Sequence, residues 1–408
     1  MSSPAGYSLA RMPGAPDGKP KICMLLHGGF PMEVRVAAEV RAAVDAGFDV
    51  DVIALRRPGE APVERAEGAR VFRVPIRHTH GSGVWAVARE YSGFLVLAGL
   101  KAARLSLRHR YDIVQVHNPP DFLVAAAVGP RLRGARVILD VHDLATDMFE
   151  MRFRARRGFR LAHRLMEAIE RISLRRVDAV LTVHEPYRQE LISRGAAADD
   201  VTVVLNTLDE RVLPDETEAI DPANGFSVVY HGTVTPHYGL ELLVEAIALA
   251  SPHIPDLHLR VYGEGDAIAG IRKRASELGV EQLIETLPHL PQRDVLRAIR
   301  SASVGVVPNL PSQLNRFALS TKLFEYVALG IPVICAELPT ISSYFGPREV
   351  RFFTAGDARS LADALVDVAR DPGAARERAS AARDRYRDYR WAVNEKRYVE
   401  LLERLLRR

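Results

Sequence analysis

Short apolar strand-like runs alternate with helix-like stretches along nearly the whole chain, and the alternation occurs twice. "KICMLL" (Lys21 to Leu26) reads as a buried strand. A helical stretch from about Met32 to Ala46 stops at Gly47, and "DVDVIAL" (Asp49 to Leu55) is the next strand. "RVFRVP", "DIVQVH" (Asp112 to His117), "ARVILDVH" (Ala135 to His142), "DAVLTV" (Asp178 to Val183) and "VTVVLN" (Val201 to Asn206) continue the set, with helical segments between them. A parallel strand pair needs a crossover of a dozen or so residues, usually a helix. Such alternation therefore predicts an α/β fold, a parallel sheet covered by helices on both faces.

Between Asn206 and Phe226 the pattern stops; prolines and acids replace the periodicity, as in a linker. It then restarts with "FSVVYHG" (Phe226 to Gly232), an amphipathic helix from Leu240 to Ala250, and the strands "LHLRVYG" (Leu257 to Gly263), "LIETL" (Leu283 to Leu287), "VGVVP" (Val304 to Pro308) and "PVICA" (Pro332 to Ala336). Helical, Arg-rich sequence follows from about Leu361 to Leu406. The expected division is a loose tail at 1–20, a domain at 21–207, a linker at 208–225, a second domain at 226–390 and a final helix at 391–408 that packs back towards the first domain. Both domains are read as doubly wound and Rossmann-like. Ligands in such sheets bind beyond the carboxyl ends of the strands, so a cleft between the two domains is the expected site.

Several classes are disfavoured. No apolar run reaches the roughly 18 to 20 residues that span a bilayer; "FLVLAGL" (Phe94 to Leu100) is too short. The Pro/Gly/Ser-rich start reads as a tail and not as a signal peptide. Cys23 and Cys335 both fall in expected buried strands, which argues against a disulfide framework and for a cytoplasmic setting. The net charge of +4 is modest, and no nucleic-acid partner is expected. The basic residues are uneven, however: Arg152, Arg154, Arg156, Arg157, Arg160, Arg164, Arg171, Arg175 and Arg176 face only Glu167 and Glu170 as acids in that stretch.

The strand ends carry the chemistry. The first runs into "HGGFP", whose Gly28 and Gly29 permit close backbone approach to a ligand or simply a tight turn. No G-x-G-x-x-G fingerprint or phosphate-loop lysine follows it, which disfavours classical dinucleotide or ATP binding. "HNPPD" brings His117 and Asn118, and "DVHD" brings His142 and Asp143, all suited to sugar hydroxyls or proton transfer. Histidine and aspartate together also raise a metal site, but no established ligand spacing supports one, and none is expected. In the second half, Gly232 and Gly263 end strands that lead into helices. "NRFALSTKLFEY" (Asn315 to Tyr326) brings Ser320 and Thr321 to a helix start, a natural phosphate seat. Lys322 and Glu325 then share one face of that helix. They are either a surface ion pair or two groups that hold a polar, anionic ligand.

Taken together, "YHGTVTPHYGLELLVEAI", "VYGEGD", "VGVVP" and "TKLFEYVALGIPVI" followed by "LPTI", with "VQVHNPPDFLVAAAV" and "ARVILDVHDL" upstream, resemble the retaining glycosyltransferases of family 4. The resemblance implies the GT-B fold, two Rossmann-like domains facing a central cleft, with a nucleotide-sugar donor (a UDP-sugar first) held by the C-terminal domain. The acceptor, a glycan, lipid-linked or small-molecule hydroxyl, is held by the N-terminal domain. Glu325 matches the second carboxylate of the family's Glu-x7-Glu motif, which bonds the ribose hydroxyls. The first falls at Phe317, where only backbone N–H groups of Ala318 and Leu319 remain to serve. The family's phosphate-binding Arg and Lys fall at Thr233 and Tyr238, leaving His237, Arg316, Lys322 or Arg35 to supply charge. His142 matches a histidine that approaches the donor sugar's outer hydroxyls. The resemblance implies catalysis with retention and without metal or cofactor, and contact of the Arg152–Arg176 surface with an anionic membrane at its inner face. Two alternatives stand beside it: a nucleotide-sugar epimerase of the same fold, and a partner subunit that has lost its donor grip.

Overall fold

Each run of alternation folds into its own parallel sheet. The computed structural model describes residues 18–76, 84–154, 158–215, 225–312 and 315–408. One compact unit joins the chain up to Asn206 with Ala392–Arg408, and a second spans Thr207–Trp391. The expected tail falls largely outside the described residues, as do residues 216–224 of the expected linker and Arg156 and Arg157 of the basic stretch. Residues 207–215 belong to the second unit, where Leu208 is buried in its core.

The first unit is built on eight strands: β1 (Lys21–Leu26), β2 (Asp49–Leu55), β3 (Val63–Ala66), β4 (Ala69–Val74), β5 (Ile113–His117), β6 (Arg136–Val141), β7 (Ala179–Thr182) and β8 (Val201–Val203). Their order is β3-β4-β2-β1-β5-β6-β7-β8, and all neighbours are parallel except the antiparallel pair β3 and β4. The helices are α1 (Val34–Asp45), α2 (Val84–Arg108), α3 (Val128–Arg131), α4 (Ala145–Phe153), α5 (Phe159–Arg176) and α6 (Glu185–Ser193). The central strands are apolar because both of their faces are covered. Cys23, Leu25, Val114 and Val116 pack against Phe94, Ala98 and Leu105 of α2. The opposite face of β5 and β6 is different. There Gln115, His117 and Asp140 are fully buried polar residues, and α1 meets them with Arg35 and Glu39.

The second unit has six strands, β9 (Phe226–His231), β10 (Leu257–Tyr262), β11 (Ile284–Leu287), β12 (Val304–Val307), β13 (Val333–Ala336) and β14 (Arg351–Phe353). Their order is β11-β10-β9-β12-β13-β14, and all pairs are parallel. Helices α7 (Leu240–Ala250), α8 (Ile268–Leu278), α9 (Gln292–Ile299), α10 (Thr321–Ala328), α11 (Pro339–Tyr344), α12 (Ala358–Arg370) and α13 (Pro372–Tyr386) complete it. The last helix, α14 (Trp391–Arg407), places Tyr398 in the first unit, where its hydroxyl donates to Gln115 Oε1 at 2.7 Å. Cys23 and Cys335 are free and buried. Among the described residues no helix is long and apolar enough to cross a membrane.

Candidate functional site

In the second unit, the helix that carries the Lys322/Glu325 pair starts at Thr321 with Ser320 as its cap residue. Both side chains are buried, Lys322 at 8% and Glu325 at 4% exposure, which removes the surface ion-pair reading. They also hold different partners. Glu325 Oε1 accepts from Gln292 Nε2 at 2.8 Å, and Glu325 Oε2 lies 3.1 Å from His231 Nε2. Lys322 Nζ sits 4.7 Å from the Tyr238 ring centre and 5.0 Å from that of Tyr230. The ammonium is thus held by two aromatic faces, an attraction of order 1 kcal/mol that leaves its charge unneutralised.

Burial sets the electrostatics here. It lowers the Lys322 pKa to about 8, against a smaller opposing pull from Glu325. It raises the Glu325 carboxyl above the ordinary range, opposed by the Gln292 hydrogen bond and by Lys322. His231 is driven down to about 3 by burial, with Lys322 and His289 adding repulsion, so it stays neutral. Burial thus works against the charged form of both groups, a perturbation of the kind that clusters at functional sites.

Backbone closeness frames the pair. Gly232 follows β9 with φ of +103°, and a Cβ there would stand 3.0 Å from Lys322 Cε. A Cβ on Gly263 would fall 1.9 Å from the Gly232 carbonyl oxygen. Both positions therefore need glycine, one for its dihedral and one for space. Thr233 is exposed and its carbonyl accepts from the Tyr230 hydroxyl at 2.7 Å. His237 shares a hydrogen bond with Thr235 Oγ1 at 3.1 Å, and Asn315 Nδ2 donates to the His237 carbonyl at 2.8 Å. Arg316 is exposed and stacks its guanidinium 4.3 Å from the Phe317 ring centre. Ala318, Leu319, Ser320 and Thr321 are half-buried on the approach to α10.

In the first unit, the structure gathers Arg35, His117 and His142 around Asp140. His142 Nε2 lies 2.7 Å and His117 Nδ1 2.9 Å from the same Asp140 Oδ2. Arg35 reaches Asp140 Oδ1 with its NH2 group at 2.9 Å, donates to the Val204 carbonyl at 2.6 Å, and brings Nε within 3.2 Å of Glu39. The sequence reading offered Arg35 as ligand charge; instead it is 6% exposed and committed to internal acceptors. His117 is fully buried, and its pKa is lowered chiefly by burial, against the hydrogen bond to Asp140. Asp140 is held well below the usual carboxylate range. Burial alone would raise it, but Arg35, His142 and His117 outweigh that.

Asn118 is a scaffold residue: its amide donates to Asp121 and to the Asp143 carbonyl, and its oxygen accepts from the His142 backbone N–H at 2.7 Å. Asp143 is pushed up by burial, with His142 opposing. His142 remains the partly exposed member, its side chain 18% accessible. At the end of β1, the Gly28 carbonyl accepts from Leu55 N–H, and a Cβ on Gly29 would stand 2.7 Å from Arg57 Nε. Gly29 thus has a close neighbour of its own, whereas a Cβ on Gly28 would meet only ordinary contacts at 3.4 Å.

The donor atoms of His117, Asp140 and His142 lie within 4.8 Å of one another, close enough to hold a metal ion. The Arg35 guanidinium on the same carboxylate opposes a further cation there, and both imidazoles already face that carboxylate.

The sequence reading did not name Asp140, Glu39, Gln115 or Tyr398 in the first unit, nor His231 and Gln292 in the second. Asp140 had a signal. It lies two residues before His142, hence on the same strand face, and its β5 register partner is His117. Gln292 and His231 had none, because three separate elements meet at Glu325 only in the folded sheet.

Comparison with known proteins adds the following. Residues 32–207 match the model of the glycosyl transferase 4-like domain, and residues 218–385 match that of the glycosyl transferases group 1. A 2-deoxystreptamine glucosyltransferase of Streptomyces kanamyceticus is 24% identical over 321 residues, 74% of this chain and 82% of that protein. A glycogen synthase of Mycobacterium tuberculosis is 26% identical over 381 residues, 89% of this chain and 88% of that one. The crystal structure of an Anabaena protein, HepE, in complex with UDP-glucose superposes with a TM-score of 0.69 at 14% identity, covering 94% of this chain and 99% of that chain.

Proposed function

The chain belongs to the group 1 glycosyltransferases with a family 4-like N-terminal domain and the GT-B fold, and from that premise we propose that it moves a sugar, with retention, from a UDP-sugar to an acceptor hydroxyl. The observation that carries the donor reading is the Lys322/Glu325 pair: two titratable groups buried on one helix face, with no salt bridge between them among the described residues, and each with burial working against its charged form. In this reading Glu325 accepts from the ribose hydroxyls. Lys322 and the free N–H groups at the start of α10 take the diphosphate. The N-terminal domain takes the acceptor, and His142 meets an outer hydroxyl of the donor sugar.

The reaction needs no metal or cofactor in this reading. The bond from the anomeric carbon to the phosphate oxygen breaks, and the acceptor oxygen bonds to the same face of that carbon. The acceptor's proton passes to the departing diphosphate. Lys322 stabilises the negative charge that grows on the leaving group, the largest single kind of catalytic contribution in such sites. Thr233 and Tyr238 supply no charge where the family resemblance places an Arg and a Lys, so the load on Lys322 is correspondingly greater.

The acceptor is read as lipid-linked, reached at the inner face of an anionic membrane. What supports this is the outer surface of one helical layer. Val96, Leu97, Leu100 and Leu107 of α2, Val128 and Leu132 of α3, and Leu161, Leu165 and Ile172 of α5 are all exposed, among exposed Arg104, Arg108, Arg131, Arg160, Arg164, Arg171 and Arg175. In the second unit Leu278 alone is such an exposed large apolar residue among those described. A second copy of the chain fits this surface less well, because arginine would face arginine.

Product analysis with a UDP-sugar tests the function. Transfer that depends on added acceptor supports it. Conversion of the sugar nucleotide alone would make the protein an epimerase, and absence of any nucleotide binding would make it a degenerate subunit.

A further inference from the structure

Asp140 Oδ2 is a meeting point of two imidazoles, His142 through Nε2 at 2.7 Å and His117 through Nδ1 at 2.9 Å. An ionised carboxylate only accepts hydrogen bonds, so each ring nitrogen that faces it must carry its proton. Arg35 keeps that carboxylate ionised and in place, with NH2 on Oδ1 at 2.9 Å and Nε 3.4 Å from Oδ2. Arg35 is itself fixed by the Val204 carbonyl at 2.6 Å. In its neutral form the partly exposed His142 ring then has one unprotonated nitrogen, Nδ1, for which no hydrogen bond is seen among the described residues.

We propose that Asp140, anchored by Arg35, is a positioning residue that locks His142 with its proton on Nε2 and so presents a bare Nδ1 as a hydrogen-bond acceptor to the sugar. This rests on the reading of His142 as a donor-sugar contact. It deepens that reading by fixing the direction of the hydrogen bond, because which ring nitrogen is protonated follows from the bond the other makes. The group that meets His142 must donate. A sugar hydroxyl does so; the carboxylate of a uronic acid does not. The site therefore selects donors with a free hydroxyl there over uronic-acid donors. His117 shows the same logic in a closed setting: its Nε2 is buried and makes no hydrogen bond, so no acceptor faces a proton there and the proton sits on Nδ1 towards Asp140.

Long-range proton–nitrogen correlation spectra of protein labelled with 15N-histidine read the tautomer directly and need no activity. The His142→Gln variant assigns the His142 signal by its loss. We expect a bare Nδ1 and a protonated Nε2 in the wild-type protein. In Asp140→Asn that signal should move to a mixture of tautomers. Transfer by Asp140→Asn should fall at least about tenfold in kcat, well inside what a wrong tautomer costs, while the Kd for UDP stays as in wild type. A wild-type His142 that carries a proton on Nδ1 at neutral pH, whether on that nitrogen alone or on both, overturns the proposal, as does an Asp140→Asn variant whose His142 signal is unchanged. If Asp140→Asn fails to fold with Arg35 left unpaired, the wild-type spectrum alone decides. UDP binding, measured separately by calorimetry, bears on the donor reading and not on the tautomer.

Discussion

Glu325 Oε2 stands 3.1 Å from His231 Nε2, and His231 is the last residue of the strand that Gly232 terminates. The carboxylate thereby sits at the strand end at which Lys322, one turn earlier on the same helix, also arrives. Burying both costs free energy. The proposed donor site gives both a ligand to meet.

The lysine makes a pH prediction with two opposite signs. Its folded pKa of about 8 lies below its ordinary value of 10.5. The folded, unliganded protein thus binds fewer protons than the unfolded chain between those values, and its stability should rise as pH climbs through that window. Affinity for UDP should fall over the same window, because the neutral amine no longer attracts phosphate. Thermal melts with and without UDP across the range check both. A stabilisation by UDP that is constant from neutral pH to about pH 10 would remove Lys322 from the phosphate site.

Gly232→Ala should damage binding through geometry alone. The new methyl group would crowd Lys322 Cε at 3.0 Å and Nζ at 3.3 Å, at a backbone φ of +103°. The backbone strain costs about 1 kcal/mol or more of stability. UDP affinity should drop beyond what that loss of stability explains, whereas uridine affinity should change less. Denaturant melts and calorimetry on the same variant separate the two effects, and equal losses for uridine and UDP would count against the placement of Lys322.

The exposed helical layer predicts peripheral binding to lipid. Basic residues near an anionic surface contribute about 1 kcal/mol each. Co-sedimentation with phosphatidylglycerol-containing vesicles at low salt should capture the wild-type protein. The double variant Leu161→Ser, Leu165→Ser should bind several-fold less, and neutral vesicles should capture little of either. A protein that ignores anionic vesicles yet dimerises in light scattering through those leucines would instead place a second copy on this face.

Much of this was legible in the sequence, for identifiable reasons. The strand runs were readable because buried parallel strands are continuously apolar, as in β1, β2 and β13. The edge strand β3, with its half-exposed "VERA", and the three-residue β14 carry no such signal and were missed. Lys322 and Glu325 stood out because charge on an apolar helix is expensive. The burial of Arg35 was not legible because a basic residue near a helix start reads as exposed, and only the register of β5 against β6 reveals the carboxylate beneath it. The second unit hid Gln292 for the reverse reason: it lies on an amphipathic surface helix whose pattern gives no hint that one polar residue turns inward to Glu325.

The most direct test of the central claim is calorimetric titration of uridine and of UDP into wild-type protein, Glu325→Gln and Lys322→Ala. Charge-assisted hydrogen bonds contribute about 1.5–3 kcal/mol, so Glu325→Gln should weaken both ligands at least about tenfold. Lys322→Ala should leave uridine binding near the wild-type value and weaken UDP alone. If both variants bind uridine and UDP as the wild type does, the buried pair is structural and the donor site lies elsewhere.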